Sequence, residues 1–363
     1  MQTRILAIAS ALVACTSLSL AGQTGVVPRA PDGHPDLTGT YDLAMLTPLE
    51  RPAGLPAVLT DAEAARLERA IADQEKRARA PIRGEREAPP VGGDGSVGPA
   101  GNVGGYNTFW LDRGTHYSTV DGQKRSSIIV DPPDGRLPPM TPGAQQRVAG
   151  QLLALLPASP SKDPGLEGPG SYDDPERRPL YERCLLGFGS TSGPPALPNY
   201  FYNNLHQIVQ TEGSVMILTE MVHDARVIRM NGEHLPPAIR RWMGDSIGHW
   251  EGDTLVVDTT NFSDHTRLRG ATLFGLLIHD FPPSPNNLHV VERFVRSSAT
   301  SLKYAFTVED ETIWTRPWTG EYTWPTTNDR VFEYACHEAN YALSEILSGA
   351  RQREAEAAKA GAR

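Results

Sequence analysis

The chain has 363 residues, a formal net charge of −9 and 39% hydrophobic residues. Its lysines and arginines are scattered and form no basic stripe, which argues against a nucleic-acid partner. Proline and glycine contribute 31 and 34 residues, a composition typical of a loop-rich protein of short elements and not of a helical bundle.

The N-terminus has the pattern of a secretory signal. Arg4 is followed by an uncharged run over residues 5–21, which is too short to span a bilayer comfortably, and small residues precede a cleavage site after Ala21. A second interpretation is a lipoprotein anchored at Cys15, because Leu12–Cys15 has the form of a bacterial lipobox. We expect a periplasmic or secreted protein, with soluble release favoured over lipidation. No later stretch is long and apolar enough to predict an integral membrane segment.

Export bears directly on the cysteines. Cys15 leaves with the signal or carries the lipid, so that Cys184 and Cys336 remain as an even pair. An even pair in an oxidising compartment predicts a structural disulfide in preference to two free thiols. The bridge would hold the neighbouring His337 in place and draw it toward the core.

Residues 22–105 are predicted to form a Pro/Gly-rich N-terminal region with one helix. A short strand is expected at Gly39–Leu43. A capping box at Thr60–Glu63 begins the helix, which should run to about Arg79. Glycines and prolines recur through residues 84–105 and indicate a flexible linker or a long loop.

Residues 106–340 are predicted to form a β-rich core domain, and residues 341–363 a helical tail. Segments rich in Val, Ile, Thr and aromatics alternate with turn signals such as Asn231-Gly232. The strongest predicted strands are Gln207–Thr211, Ser214–Met221, Arg226–Met230, Ser246–Trp250, Thr254–Thr260, Leu288–Val295, Leu302–Val308 and Arg330–Tyr334. Weaker elements are strands at Tyr106–Trp110, Thr115–Thr119 and Ser126–Val130 and a helix at Pro142–Leu156. This pattern predicts a mainly β fold with a few peripheral helices, a meander closed into a lipocalin-like barrel or a sandwich.

The standard catalytic signatures are absent from the sequence. It contains no nucleophile elbow, zinc-protease motif, Walker loop or dinucleotide fingerprint, so no cofactor is required as far as the sequence shows. Histidine is the residue that stands out, with ten copies, most of them between residues 206 and 337. Two or three histidines with a carboxylate could hold a divalent metal, but their spacing is too irregular to assign a site.

The alternation of side chains along the predicted strands identifies two carboxylates as candidate site residues. Glu292 shares the apolar side of its strand with Phe294, where an acid is costly unless it is paired or used. The alternative is a structural Glu–Arg or Glu–Tyr pair. His289 and Arg293 lie on the opposite face of the strand. By the same reasoning Asp258 shares a face with an apolar neighbour and is expected to point inward.

A second constellation lies around a predicted turn. Glu220, His223 and Arg226 would meet near a barrel rim if the turn is tight, and His234 could fold over the same rim. The alternative is a solvated hairpin whose salt bridge contributes little to stability. Trp318 is one of five tryptophans in or beside this half, which line ligand pockets in some barrels and fill the core in most.

Several motifs resemble a large group of exported bacterial proteins that are abundant in soil acidobacteria and sphingomonads. They occupy residues 109–114, 129–136, 183–185, 242–259, 288–294 and 334–341, so the resemblance covers most of the mature chain. It implies a shared fold and compartment but carries over no reaction. Where the group has Asp-Gly-Arg-x-His, this chain has Asn231–His234 and lacks the positive charge at Glu233.

These residues suggest an exported enzyme that acts on a sugar-derived or aromatic small molecule by general acid–base catalysis, as a lyase, hydrolase or isomerase. The candidate catalytic residues are His223, Asp258, His289, Glu292 and His337. The candidate substrate-binding residues are Glu220, Arg226, His234, Arg293 and Trp318. The alternatives are a lipocalin-like binding protein without catalysis and a structural envelope module. Convergence of Glu292, Asp258, His289 and His223 in one pocket would favour the enzyme. The oligomeric state is left open.

Overall fold

The computed structural model describes residues 26–78, 112–147, 172–178, 180, 182–187, 192–198, 202–263, 272–273, 276–277, 287–338 and 340–361. The predicted signal, the Gly-rich loop at residues 84–105 and the predicted strand Tyr106–Trp110 lie outside the described residues. The predicted helix Pro142–Leu156 lies partly outside them, and residues 142–147 are helical.

The described elements are mainly strands. In chain order they are β1 (Gly39–Asp42), β2 (Val58–Leu59), α1 (Asp61–Ala78), β3 (Thr119–Val120), β4 (Gln123–Arg125), β5 (Ile129–Asp131), a 3-10 turn (Pro175–Arg177), β6 (Leu205–Gln210), β7 (Ser214–Thr219), β8 (Ala225–Met230), β9 (Asp245–Glu251), β10 (Thr254–Thr260), β11 (Thr272–Leu273), β12 (Leu276–Leu277), β13 (His289–Ser298), β14 (Ser301–Glu309), β15 (Trp318–Thr327) and α2 (Ala342–Gly361). α1 begins at the predicted capping box, where the Thr60 N–H donates to Glu63 at 2.8 Å and the Glu63 N–H donates to Thr60 Oγ1 at 3.2 Å. α2 lies within the predicted helical tail.

Nine strands close into a barrel, which confirms the predicted fold class. Their order is β1-β6-β7-β8-β9-β10-β13-β14-β15, and β1 pairs with β15 to close the ring, while β5 pairs with β15 as well. The strands pair antiparallel except β8 and β9, which are parallel. An odd number of strands cannot alternate in direction around a closed ring, so one parallel pair is required. The predicted meander is therefore interrupted once.

One barrel strand differs from its prediction. Arg330–Tyr334 is not a strand, and the last barrel strand is β15 instead. Gly320 and Pro325 hide this strand in the sequence, because both residues are typical of turns. In the barrel a Cβ at Gly320 would lie 2.5 Å from the Phe306 ring, so only glycine fits there.

Large side chains fill the barrel interior. Phe294, Tyr304, Tyr322 and Trp324 are each 0% exposed, and Phe294 packs against Trp324 with ring centroids 5.7 Å apart. Close packing of this kind is that of a protein core. A ligand in the lumen would have to displace these side chains.

The predicted cysteine pair is confirmed. The Sγ atoms of Cys184 and Cys336 lie 2.10 Å apart, at disulfide distance. The neighbouring His337 is exposed, so the prediction that the bridge draws it toward the core is wrong. Among the described helices, none has the length and apolar character needed to cross a bilayer.

His206 on β6 should make the fold sensitive to acid. The ring is 1% exposed and packs against Trp324 with centroids 5.4 Å apart. Burial, helped by the charge of Arg226, lowers the pKa of His206 from 6.5 to about 4. The unfolded chain therefore takes up a proton at a pH where the folded protein does not. We expect the free energy of unfolding to fall by about 3 kcal/mol from this residue as the pH drops from 6.5 to 4.

Urea unfolding at several pH values, compared with His206→Gln, checks this expectation. The variant lacks the titrating ring but keeps all other ionisable groups, so the difference between the two pH profiles isolates His206. Parallel profiles between pH 6.5 and 4 would show that the ring is not held neutral.

Candidate functional site

Glu292 lies inside the barrel and is fully paired. It is 0% exposed, as its strand parity predicts, and its two carboxylate oxygens accept hydrogen bonds from Arg226 at 2.5 and 2.9 Å. Tyr304 donates a third hydrogen bond at 2.8 Å. Burial raises the pKa of Tyr304 far above its ordinary value, and the nearby carboxylate adds to this effect. The structural Glu–Arg–Tyr alternative describes this geometry better than a reacting carboxylate does.

Asp258 lies on the outer face of the barrel, so the prediction that it points inward is wrong. Leu255, Val257 and Thr259 take the inner positions of β10 and are 0–1% exposed, whereas the Asp258 side chain is 39% exposed. The sequence predicts an inward orientation because Asp258 shares a strand face with the apolar Val256. That face points outward, although Val256 is only 4% exposed.

Two histidines converge on Asp258. His234 Nε2 lies 2.9 Å from Oδ1 of Asp258, and His289 Nε2 lies 2.8 Å from Oδ2. The three residues come from the segment after β8, from β10 and from β13, and their side chains are 31–39% exposed. The carboxylate therefore orients two imidazoles at a position that a small molecule can reach.

Further charged residues extend this cluster at both ends. His289 Nδ1 lies 3.2 Å from Glu309, and His234 Nδ1 lies 3.1 Å from Asp245. Asp245 is 1% exposed and also accepts hydrogen bonds from Arg229 at 2.9 Å and from the Leu235 N–H. We define the His–Asp array as Arg229, Asp245, His234, Asp258, His289 and Glu309.

Three members of the array are not predicted from the sequence. Glu309 is the register partner of His289 on β14, so correct pairing of β13 with β14 would have found it. Arg229 and Asp245 are brought together by the parallel pairing of β8 and β9, for which the sequence contains no signal.

Electrostatics favour the charged forms within the array. The hydrogen bond to Asp258 raises the pKa of His289, with a smaller contribution from Glu309 and against the effect of burial. Burial acts to raise the pKa of Asp258, but the hydrogen bonds and charges of His289 and His234 outweigh it and hold the value below its usual range. His289 therefore keeps its proton to higher pH than a free imidazole does, which suits it to act as an acid.

No protein-family model, curated protein or solved structure matches the chain. The resemblance of the sequence motifs to exported bacterial proteins stays a prediction. Function must therefore be argued from the geometry of the array.

The other rim constellation does not form as predicted. Glu220 is 4% exposed and accepts a hydrogen bond from the Phe332 N–H at 2.9 Å, and His223 Nδ1 accepts one from the Tyr334 N–H at 3.3 Å. Both residues precede β8, at the end opposite Arg229 of the array, and Arg226 points into the barrel toward Glu292.

The remaining predicted site residues lie apart from the array. Arg293 is on the outer face but pairs with Glu251 at 2.8 Å. Trp318 is 3% exposed in the core, and His337 is exposed beside the disulfide. Of the ten predicted site residues the structure brings His234, Asp258 and His289 together, and it separates these from Glu292 by the thickness of the sheet.

Within the part of the chain that the structure describes, no group of three or more His, Cys, Asp and Glu residues is arranged to hold a metal ion. In the array both Nε2 atoms are engaged by different oxygens of one carboxylate. The divalent metal considered from the sequence stays a prediction.

Proposed function

We propose that the protein is an exported enzyme that acts on a small molecule by general acid–base catalysis at the His–Asp array. The observation that carries this proposal is the hydrogen bonding of His234 and His289 to the two oxygens of Asp258. Residues that are distant in the sequence supply these groups, and their side chains are 31–39% exposed, unlike the buried Glu292 pair. The reaction class, lyase, hydrolase or isomerase, remains that expected from the sequence.

Each residue of the centre has a distinct role in this proposal. His289, whose pKa is raised, donates its Nδ1 proton, which otherwise faces Glu309 at 3.2 Å, to the substrate oxygen or nitrogen on which negative charge develops, and takes a proton back at the same atom later in the cycle. His234 has its Nδ1 on Asp245 and its Nε2 on Asp258, and so holds the Asp258 carboxylate in position. Asp258 orients both rings and stabilises whichever imidazole is charged, so it is a positioning residue.

Export is the second part of the proposal. The N-terminal signal pattern and the cysteine pair at disulfide distance both support an oxidising compartment, the periplasm or the medium. Lipid attachment at Cys15 is the alternative form of export. The expected partner is a small-molecule substrate.

The lipocalin-like alternative receives less support from the geometry. A binding protein of that kind holds its ligand inside the barrel. Here the inward-facing rings of Phe294, Tyr304, Tyr322 and Trp324 are 0% exposed and occupy that position. The outer-face array is the better candidate for ligand contact.

Substitution within the array should abolish activity without unfolding the protein. We expect His289→Gln and Asp258→Asn to lower kcat/KM by about 10²–10⁴-fold on a substrate found by screening small molecules. The matched control is His249→Gln, because His249 is an exposed histidine on the same face that contacts Glu251 and not the array. Equal activity of His289→Gln and the control would refute the role of His289.

The pH dependence gives a second test that needs no substrate. If Asp258 raises the pKa of His289, then Asp258→Asn should lower that pKa, which imidazole NMR signals measure directly. With a substrate, activity should fall as the pH rises through the pKa of His289, because the acid then loses its proton. That falling limb should move to lower pH in Asp258→Asn. A pKa of His289 unchanged by the substitution would remove the basis for this assignment.

A further inference from the structure

The segment of residues 235–244 begins and ends at the His–Asp array. It follows His234 directly and leads into Asp245. The Leu235 N–H donates to Asp245 at 2.9 Å, and Asn261 donates to the Leu235 carbonyl at 2.8 Å. These contacts fix the segment beside the end of β10. We name it the Trp242 loop.

This loop exposes large apolar side chains next to polar ones. Ile239 is 46% exposed and Trp242 is 39% exposed. Trp242 lies three residues before Asp245, so its Cα is within about 11 Å of the Cα of Asp245, the buried member of the array, by chain length alone. Exposed aromatic surface beside a few converging polar groups is the usual composition of a small-molecule site.

The charges of the array restrict what such a site would bind. It contains the carboxylates of Asp245, Asp258 and Glu309 and one permanent cation, Arg229. Both imidazoles must carry a proton before these charges balance. A substrate that brings its own negative charge would add to the carboxylates whenever His289 has given up its proton, as its role as an acid requires.

We propose that the Trp242 loop recognises the substrate, and that the substrate carries no negative charge and has an aromatic ring that lies against Trp242. The ring is attached next to the group that exchanges a proton with His289. This inference rests on the proposed function. Of the two substrate classes expected from the sequence, sugar-derived and aromatic, it selects the aromatic one. It makes Trp242 a specificity-determining residue.

Three probes separate the chemistry: benzamide, benzoate and isobutyramide, titrated into the full-length mature protein. Binding is followed by NMR through the imidazole signals of His234 and His289 and the indole N–H of Trp242, the latter assigned with Trp242→Phe. We expect benzamide to shift all three signals. We expect benzoate and isobutyramide to bind at least tenfold more weakly, because one brings a charge and the other lacks the ring.

Variants then test Trp242 itself. Trp242→Ala should weaken benzamide binding at least tenfold, and Trp242→Phe should restore most of it because phenylalanine also offers an aromatic face. An unchanged Tm shows that the alanine variant is folded. If the alanine variant does not fold, Trp242→Phe is compared with wild type instead. Equal binding of benzoate and benzamide, or benzamide shifts that do not depend on Trp242, would overturn the inference.

The failure of this inference and that of the proposed function can be distinguished. If benzamide binds through Trp242 while His289→Gln keeps full activity, the recognition loop stands and the catalytic assignment falls. If His289→Gln loses activity while Trp242→Ala binds benzamide normally, the catalytic assignment stands and the substrate class is wrong.

Discussion

Glu292→Gln is expected to destabilise the protein by about 3–5 kcal/mol, because it leaves the Arg226 guanidinium buried without its counter-ion. The pair is inside the barrel, with side chains 7% and 0% exposed, so water cannot replace the lost charge. Although burial acts to lower the pKa of Arg226, Glu292 outweighs it and raises the value, and the guanidinium stays charged. Urea unfolding measures the change.

Two comparisons isolate the buried charge. Glu251→Gln removes the acid of an ion pair whose two side chains are about half exposed, and it should cost under about 1 kcal/mol. The double variant Arg226→Met with Glu292→Leu removes both charges and should recover much of the lost stability. If Glu292→Gln were as stable as Glu251→Gln, the barrel would not depend on the buried pair.

Removing the disulfide is the second change with a large expected effect. The double variant Cys184→Ser with Cys336→Ser should lower the free energy of unfolding by about 2–5 kcal/mol, because the bridge spans 152 residues of sequence and restricts the unfolded chain. Oxidised wild type and the variant are compared by urea unfolding.

A reducing agent provides the matched control for the disulfide. Wild type in excess dithiothreitol should unfold at the same urea concentration as the serine variant, which should itself be insensitive to the reductant. A stability difference under about 1 kcal/mol between oxidised wild type and the variant would show that the bridge contributes little.

The sequence predicts the barrel well because its signals are local. β-branched and aromatic residues alternate with Gly-containing turns, and the bounds of β7, β8 and β10 follow from them within two residues. Parity correctly predicts that Glu292 faces inward because its neighbours on that face are large and apolar. β15 is missed because Gly320 and Pro325 are typical of turns, and the close packing against Phe306 that requires Gly320 is not visible in local patterns.

The site is predicted only in part because it depends on pairing between distant segments. The sequence nominates His234, Asp258 and His289 separately but assigns them to different places. Their convergence requires both the outward orientation of Asp258 and the parallel alignment of β8 and β9. Neither follows from residue type, since Val256 gives Asp258 the appearance of an inward-facing residue.

The odd strand count links the architecture to the chemistry. With an even number of strands, a short hairpin could join β8 to its neighbour and no chain would need to turn back there. Because one pair must be parallel, residues 231–244 return alongside the barrel before β9 begins. That return places His234 above Asp258 and makes Trp242 available at the surface. The odd number of strands thus accounts for the one crossover between adjacent parallel strands in the described part of the barrel. The candidate site lies beneath this crossover.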